Sequence, residues 1–148
     1  MGKSIFQAAA RAELQQRLSR LKPDSAPQWG KMNAPKMVAH LADSSKMALG
    51  DLPVRSRKVF IRFPVIKHLI IYVMPWPKST PTAPELVARA PAAWNGEVVT
   101  LSALIERFGT RSVGDAWPPH PAFGAMSGRL WGALVYRHFN HHFTQFGV

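Results

Sequence analysis

Hydrophobic residues recur at steps of three and four along four stretches of the chain, which is the spacing that places them on one face of an α-helix. The four stretches are 4–21, 34–49, 91–109 and 127–146. Long, proline-containing loops separate them. Four main helices with long connections predict an all-α helical bundle.

The second of these helices has the clearest boundaries. Asn33 is a suitable N-cap, Pro35 lies in the first turn, and Gly50 marks the end. We therefore predict a helix over 34–49. By the same reasoning, Ser4 is the candidate N-cap of the first helix.

Residues 52–84 do not follow the helical pattern. They contain no acidic side chain, while Lys and Arg flank or interrupt the apolar run 59–76. Arg62 and Lys67 lie within that run, which excludes a membrane span of about 20 apolar residues, and Pro64 predicts a helix break. Three interpretations remain: a buried or interface-facing helix, a basic amphipathic segment on a membrane surface, or short strands.

The composition is typical of one globular domain, 1–148, because 47% of the 148 residues are hydrophobic and 18% are charged. The chain has no cysteine, which excludes disulfides, cysteine-ligated zinc and thiol nucleophiles, so His, Asp and Glu are the strong metal ligands that remain.

The formal charge of +11 favours anionic partners without selecting one. Glu13 and several glutamines interrupt the N-terminal stretch, so we recognise no signal peptide and expect a cytoplasmic location.

Three of the six histidines lie close together near the C-terminus. On a helix, His138 and His142 stand one turn apart on the same face, with His141 and Gln145 close to the same line. A solvated, basic terminal helix is the alternative interpretation. Phe139 occupies the place where a zincin carries the Glu of HExxH, so the pattern is not a metalloprotease signature.

His40 lies near the middle of the predicted second helix, with Asp43 three residues later on the same face. A core histidine bonded to a backbone carbonyl would explain His40 on its own. In a bundle, however, an adjacent helix can bring His138 and His142 to the same cavity, and three neutral imidazoles suit zinc, nickel or iron(II) with positions left for water or substrate. Asp43 is then the nearby acid, which either orients a ligand imidazole or accepts a proton.

The motifs MVAHLAD at 37–43 and HFNHHFTQ at 138–145 resemble the DinB-like superfamily of metal-binding four-helix bundles. WGKMNAPKMVAHLADSSKMALGDL, HPAFG and the ending HFNHHFTQFGV are similar to an uncharacterised bacterial branch of it, so the resemblance covers about 28–148. It implies a bundle with an up-up-down-down connection, often dimeric, in which His40, His138 and His142 bind a divalent metal. The apolar and basic segment 52–84 departs from that pattern as an insertion between the second and third helices.

Some members of the superfamily are thiol-dependent transferases or hydrolases. The resemblance therefore implies an enzyme in which the metal, zinc first and then nickel or iron, activates water or a low-molecular-weight thiol against a small-molecule substrate. His141 and Gln145 are candidates for proton transfer or substrate orientation, and Trp29 and Tyr136 for the wall of a pocket. A solvent-facing or packing role is the alternative for each of these four side chains.

A second hypothesis is a non-catalytic metal-binding module whose segment 52–84 contacts a membrane surface or another anionic partner. The apolar run 59–76 fits core, dimer interface or membrane contact equally. No helix has a base-contacting pattern, so nucleic acid is not the expected partner. His68 and His120 lie among basic and prolyl residues, and we do not expect either to be a metal ligand.

Overall fold

The structure is a computed structural model that describes residues 2–57, 59–78 and 80–148. Within these ranges the chain forms five α-helices and no β-strand. They are α1 Ala8–Leu18, α2 Ala34–Leu49, α3 Pro64–His68, α4 Trp94–Arg107 and α5 Gly128–Gln145. The predicted all-α class is confirmed.

The caps of α2 are those that the sequence predicts, and α5 also begins at a side-chain cap. The Asn33 side chain accepts a hydrogen bond of 2.9 Å from the backbone N–H of Lys36, and the helix ends at Gly50, whose φ of 87° is a left-handed conformation that favours glycine. In α5, the Ser127 hydroxyl accepts from the N–H of Leu130 at 3.3 Å. Local side-chain chemistry therefore determines where both histidine-bearing helices begin.

The first helix begins later than predicted, and Ser4 is not its N-cap. The backbone N–H of Ile5 donates to the carbonyl of Gly132 on α5 at 3.1 Å, and the Ile5 side chain is fully buried. This contact holds the N-terminus against α5, so α1 begins only at Ala8. A Cβ at Gly132 would lie 2.3 Å from the Ser4 hydroxyl, which explains why glycine occupies this position.

The core lies between α1, α2, α4 and α5. Both α1 and α2 pack against α4 and against α5. Large side chains with less than 2% exposure fill the space between these helices, among them Leu14, Met37, Leu101, Trp131, Phe139 and Phe143. This packing sets α2 beside α5, and the predicted histidine positions are on these two helices.

Segment 52–84 is helical in part, its described residues form no strand, and it packs along α5 from Arg129 to His141. A 3₁₀ turn, Phe60–Arg62, precedes α3, and a π-helical turn, Leu69–Val73, follows it. Lys67 donates to the carbonyl of Ala125 at 2.6 Å, and Arg62 donates to the carbonyl of Pro121 at 3.1 Å. These two cations therefore hold the segment to the rest of the fold. Lys58 and Ser79 lie outside the described residues.

The outer face of this segment is apolar and exposed. Phe60, Val65 and Val73 have exposures of 71%, 73% and 70%. None of the helices in the described part of the chain combines the length and the apolar character that crossing a membrane requires.

Candidate metal centre

Helices α2 and α5 bring the three predicted histidines together. Nε2 of His40 lies 2.9 Å from Nε2 of His138. Candidate ligand nitrogens of His40, His138 and His142 all lie within 4.8 Å of one another. Each of the three imidazoles is edge-on to the other two, with ring centroids 4.9 to 5.0 Å apart. The cluster is thus compact enough for one ion to contact all three side chains.

The protonation pattern of His40 follows from its outer contact. Its Nδ1 lies 3.0 Å from the carbonyl oxygen of Leu86. A carbonyl can only accept, so Nδ1 carries the proton and the neutral ring has its lone pair on Nε2, towards His138. The contact between the two Nε2 atoms is therefore a hydrogen bond donated by His138, unless both nitrogens direct lone pairs at one cation.

Gln145 determines the protonation of His142 in the same way. The Gln145 amide nitrogen donates to the carbonyl of Trp29 at 2.8 Å, so its Oε1 accepts from Nδ1 of His142, also at 2.8 Å. The proton of neutral His142 is thus on Nδ1, and Nε2 has the lone pair. Gln145 is buried. A Cβ at position 30 would lie 2.9 Å from the amide nitrogen of Gln145, so glycine at that position leaves room for the amide. Gln145 is predicted to transfer protons or orient a substrate, whereas here its amide orients the His142 ring and has both ends engaged.

The electrostatics of the cluster keep its imidazoles neutral. Burial lowers the pKa of His40. Burial and the neighbouring His142 lower the pKa of His138 well below its usual value. Burial together with His40 lowers the pKa of His142 to about 3. Neutral imidazole is the form that binds metals, so the site needs no proton release at pH 7.

The cluster fits a divalent ion. Tetrahedral zinc holds imidazole nitrogens at about 2.0–2.1 Å, which places two such nitrogens about 3.3 Å apart. The separation of 2.9 Å between His40 and His138 is near that value, and the overall spread of 4.8 Å needs only side-chain adjustment. The outer hydrogen bonds from two of the three rings to oxygen acceptors are the usual support of metal-binding histidines. The three-histidine group can therefore hold a metal ion.

Asp43 does not make the orienting contact that its spacing predicts. The Leu86 carbonyl takes that place, and Asp43 instead accepts from Arg89, with Nε 3.1 Å from Oδ2. Arg89 also binds the buried Glu97 of α4 through two hydrogen bonds. Hydrogen bonds from Glu97 and Asp43 raise the pKa of Arg89. This bridge ties the loop that contains Leu86 to α2 and α4, so Asp43 supports His40 only indirectly.

The other predicted site residues divide between two places. His141 is half-buried beside the cluster, with its ring centroid 5.2 Å from that of His142 and 5.8 Å from that of Trp29. Tyr136 faces the opposite side of α5, where its hydroxyl donates to Glu13 at 3.1 Å. The prediction that Tyr136 walls the pocket is therefore wrong, because this face of α5 packs on α1.

A cavity of about 940 Å³ opens at the three histidines. Segment 52–84 forms one wall, and its Trp76 ring lies 6.0 Å from the rings of both His138 and His141. Trp29 lies behind this wall, in a smaller pocket. Sequence reasoning did not select Trp76, because it lies between two prolines in a region without periodicity.

His120 also lines the cavity and was not among the predicted site residues. Its Nδ1 accepts from the backbone N–H groups of Ala122 and Phe123, at 3.0 and 3.2 Å. Its proton is therefore on Nε2, which has no hydrogen-bond partner within the described residues. Burial lowers the pKa of His120 to about 4. The HPAFG motif was a usable signal, since its proline and glycine predict a tight turn directly after this histidine.

His68 lies away from the cluster. It is exposed on α3, and its Nδ1 donates to the carbonyl of Pro64 at 2.7 Å. It therefore offers a matched histidine for comparison with the three in the cluster.

The family model described as "Protein of unknown function (DUF1569)" matches residues 5–147. The chain belongs to this DUF1569 family. The match includes α1 to α5 and all three clustered histidines, so the candidate metal centre lies inside the family domain. No curated protein and no solved structure matches the chain.

Proposed function

We propose that this chain is a metal-dependent enzyme of the DinB-like superfamily that uses water or a low-molecular-weight thiol as its nucleophile. In this proposal His40, His138 and His142 hold the ion, and the reaction is a hydrolysis or a thiol-dependent transfer. The observation that carries the proposal is the pair of outer contacts at Leu86 and Gln145. Both fix a proton on Nδ1 and leave an Nε2 lone pair for a cation.

The donor set favours zinc and also suits nickel or iron(II), since all three ions accept imidazole nitrogen. When bound, such an ion lowers the pKa of a water or thiol that it contacts, so that a nucleophile forms near neutral pH. Three protein ligands leave coordination positions free for that role.

The chain's own residues hold the substrate and move protons. The cavity reaches the three histidines, which is expected for a catalytic site and not for a closed structural one. His141 lines the cavity without being part of the cluster, and burial lowers its pKa. The ring is therefore neutral at pH 7, and its one unprotonated nitrogen can accept a proton. Gln145 has both ends of its amide engaged, and its role is to hold His142.

Elemental analysis of tag-free protein, purified without added metal, tests the proposal. We expect about one ion per chain in the wild type and a loss of that ion in His40→Ala, His138→Ala and His142→Ala. The control is His68→Ala, which removes an exposed histidine outside the cluster and should keep the metal. Equal metal content in all four variants would overturn the site.

Catalysis is then separated from a purely structural metal. Chelation should abolish turnover of ester, amide or thiol-acceptor substrates while helix content by circular dichroism stays unchanged. A collapse of helix content on chelation would identify the ion as structural, because its binding free energy is then folding free energy.

A second candidate function is a non-catalytic metal-binding module that docks on an anionic membrane surface. The exposed apolar side chains of 60–73, next to the exposed Arg55 and Arg57, favour it. Cosedimentation with phosphatidylglycerol vesicles, and not with phosphatidylcholine vesicles, is the expected result, and Val65→Asp should abolish it. A homodimer through the same face would instead give a concentration-dependent mass without vesicle binding.

A further inference from the structure

The cavity above the histidines is mainly apolar. Its walls come from α2, α5, segment 52–84 and the loop at 120–123. Apolar lining side chains include Met32, Met47, Phe60, Ile70, Trp76 and Leu86. A volume of about 940 Å³ is at the upper end of the range for small-molecule sites. Such a space favours an organic ligand with an extended apolar body over a small polar metabolite.

The charges at the cavity have one sign. Lys31, Arg57 and Lys78 line it and are exposed, whereas none of its lining residues in the described part of the chain is Asp or Glu. The backbone N–H of Arg57 donates a hydrogen bond to the Pro121 carbonyl, and the Lys78 ammonium lies 4.9 Å from the centroid of the Trp29 ring. The cationic side chains therefore lie on two sides of the cavity opening. Low-dielectric walls with cations at the rim concentrate anions at the opening.

Two hydroxyls in the cavity wall lack partners. Ser44 and Ser45 are 7% and 2% exposed, and neither Oγ has a hydrogen-bond partner in the described structure. An unpaired buried hydroxyl is costly, so a ligand or ordered water that bonds to it is favoured. Ser44 lies one helical turn after His40, which places this polar group beside the candidate metal centre.

We propose that the cavity binds an amphiphilic organic anion, a molecule with one acidic group and an extended apolar chain or ring system. The acidic group contacts Lys31, Arg57 and Lys78 at the rim, and the apolar body fills the cavity. A polar group of the ligand reaches Ser44 and Ser45 beside the histidines. As a statement about the substrate, this inference rests on the proposed function. As a statement about binding, it is testable without metal.

The test uses the full chain stripped of metal with chelator, so that carboxylates cannot bind through an ion. Anilinonaphthalene sulfonate, an apolar ring system with one sulfonate, should bind with enhanced fluorescence, and decanoate should displace it. From hexanoate to decanoate, each added methylene should tighten binding about fourfold. Decanol and decyltrimethylammonium should bind at least tenfold more weakly than decanoate.

Two triple variants with the same change of net charge locate the anion. Lys31→Gln/Arg57→Gln/Lys78→Gln removes the rim cations and should weaken decanoate about tenfold, since exposed charge pairs contribute little individually. Arg20→Gln/Lys22→Gln/Lys36→Gln removes exposed cations elsewhere and should change affinity less than twofold. Equal weakening in both triples, tighter binding of decanol, or affinity independent of chain length would overturn the proposal.

Binding to the exposed apolar face is distinguished by Val65→Asp, which should leave decanoate affinity unchanged. A loss of binding in that variant would place the ligand outside the cavity and overturn the proposal. Decanoate binding to the metal-stripped protein is measured independently of whether the purified chain contains metal. Absence of metal with intact decanoate binding contradicts the proposed function alone, whereas bound metal without decanoate binding contradicts this inference alone.

Discussion

Gln145 connects Trp29 to His142, since its amide nitrogen donates to the Trp29 carbonyl and its oxygen accepts from the His142 ring, both at 2.8 Å. We predict that Gln145→Met, which keeps the length of the side chain but removes the acceptor, weakens metal binding about 10–100-fold. Competition with a chromophoric chelator measures this affinity. Gln16→Met changes an exposed glutamine on α1 and should have no effect. Unchanged affinity in the Gln145 variant would show that His142 needs no such support.

The bridge from Asp43 through Arg89 to Glu97 leads to a second prediction. Asp43→Asn removes one charge from a buried carboxylate, and we expect it to lower the free energy of unfolding by about 1–3 kcal/mol. It should also weaken metal binding, because the Leu86 carbonyl loses its anchor. Urea unfolding and the chelator assay measure the two effects. Asp51→Asn breaks an exposed pair with Arg107 and should change both quantities much less. A loss of stability without any change in metal affinity would restrict the bridge to a folding role.

Those parts of the site that depend on local sequence could be predicted. Asn33 and Gly50 delimit α2 by side-chain capping and backbone conformation, so the position of His40 on that helix follows from neighbouring residues alone. His138 and His142 share a face because of helix geometry. The other parts depend on contacts between distant segments. The Leu86 and Trp29 carbonyls come from irregular loops. Every residue has a backbone carbonyl, so the residue type does not indicate which carbonyl will accept a hydrogen bond from the site.

The errors have the same origin. Ile5 fits the apolar pattern of α1, but its N–H bonds to Gly132, more than a hundred positions away, and this contact delays the helix. Tyr136 lies on a helix that is covered on most of its faces, where periodicity cannot distinguish the cavity from the side that packs on Glu13. Trp76 lies between two prolines, and only the fold brings its ring to the histidines.

Acid should destabilise the metal-free protein. His120 has a pKa of about 4 in the folded chain, against about 6.5 when unfolded. Between these values the unfolded chain binds a proton that the folded chain does not, so stability is lost as the pH falls from about 6.5 to 4. His142, with a folded pKa of about 3, acts in the same direction. His120→Gln should reduce the slope of unfolding free energy against pH by up to about 1.4 kcal/mol per pH unit.

The measurement is urea unfolding at several pH values between 7.5 and 4.5 in the presence of chelator. His68→Gln is the control, since it removes an exposed histidine that lies away from the cavity. Identical slopes in the wild type and His120→Gln would contradict the assignment of a partly buried, neutral His120.

Arg137 holds the cavity wall, which leads to the last prediction. Its guanidinium donates to the carbonyls of Ile70, Ile71 and Met74, which are backbone acceptors at the end of the π-helical turn. A lysine carries the same charge but cannot present several donors in one plane. Arg137→Lys should therefore leave the four-helix core intact while hydrogen exchange becomes faster in 69–76.

Arg129→Lys gives the matched comparison, because Arg129 is exposed on the same helix. We expect exchange in 69–76 to match the wild type in that variant, and exchange in α2 and α4 to be unchanged in both. Because Trp76 follows this turn and contacts His138, looser attachment of the wall should also weaken binding of decanoate. Faster exchange throughout the molecule would mean that Arg137 stabilises the whole fold, whereas a change confined to 69–76 would establish this segment as a wall that the Arg137 side chain fastens over the histidines.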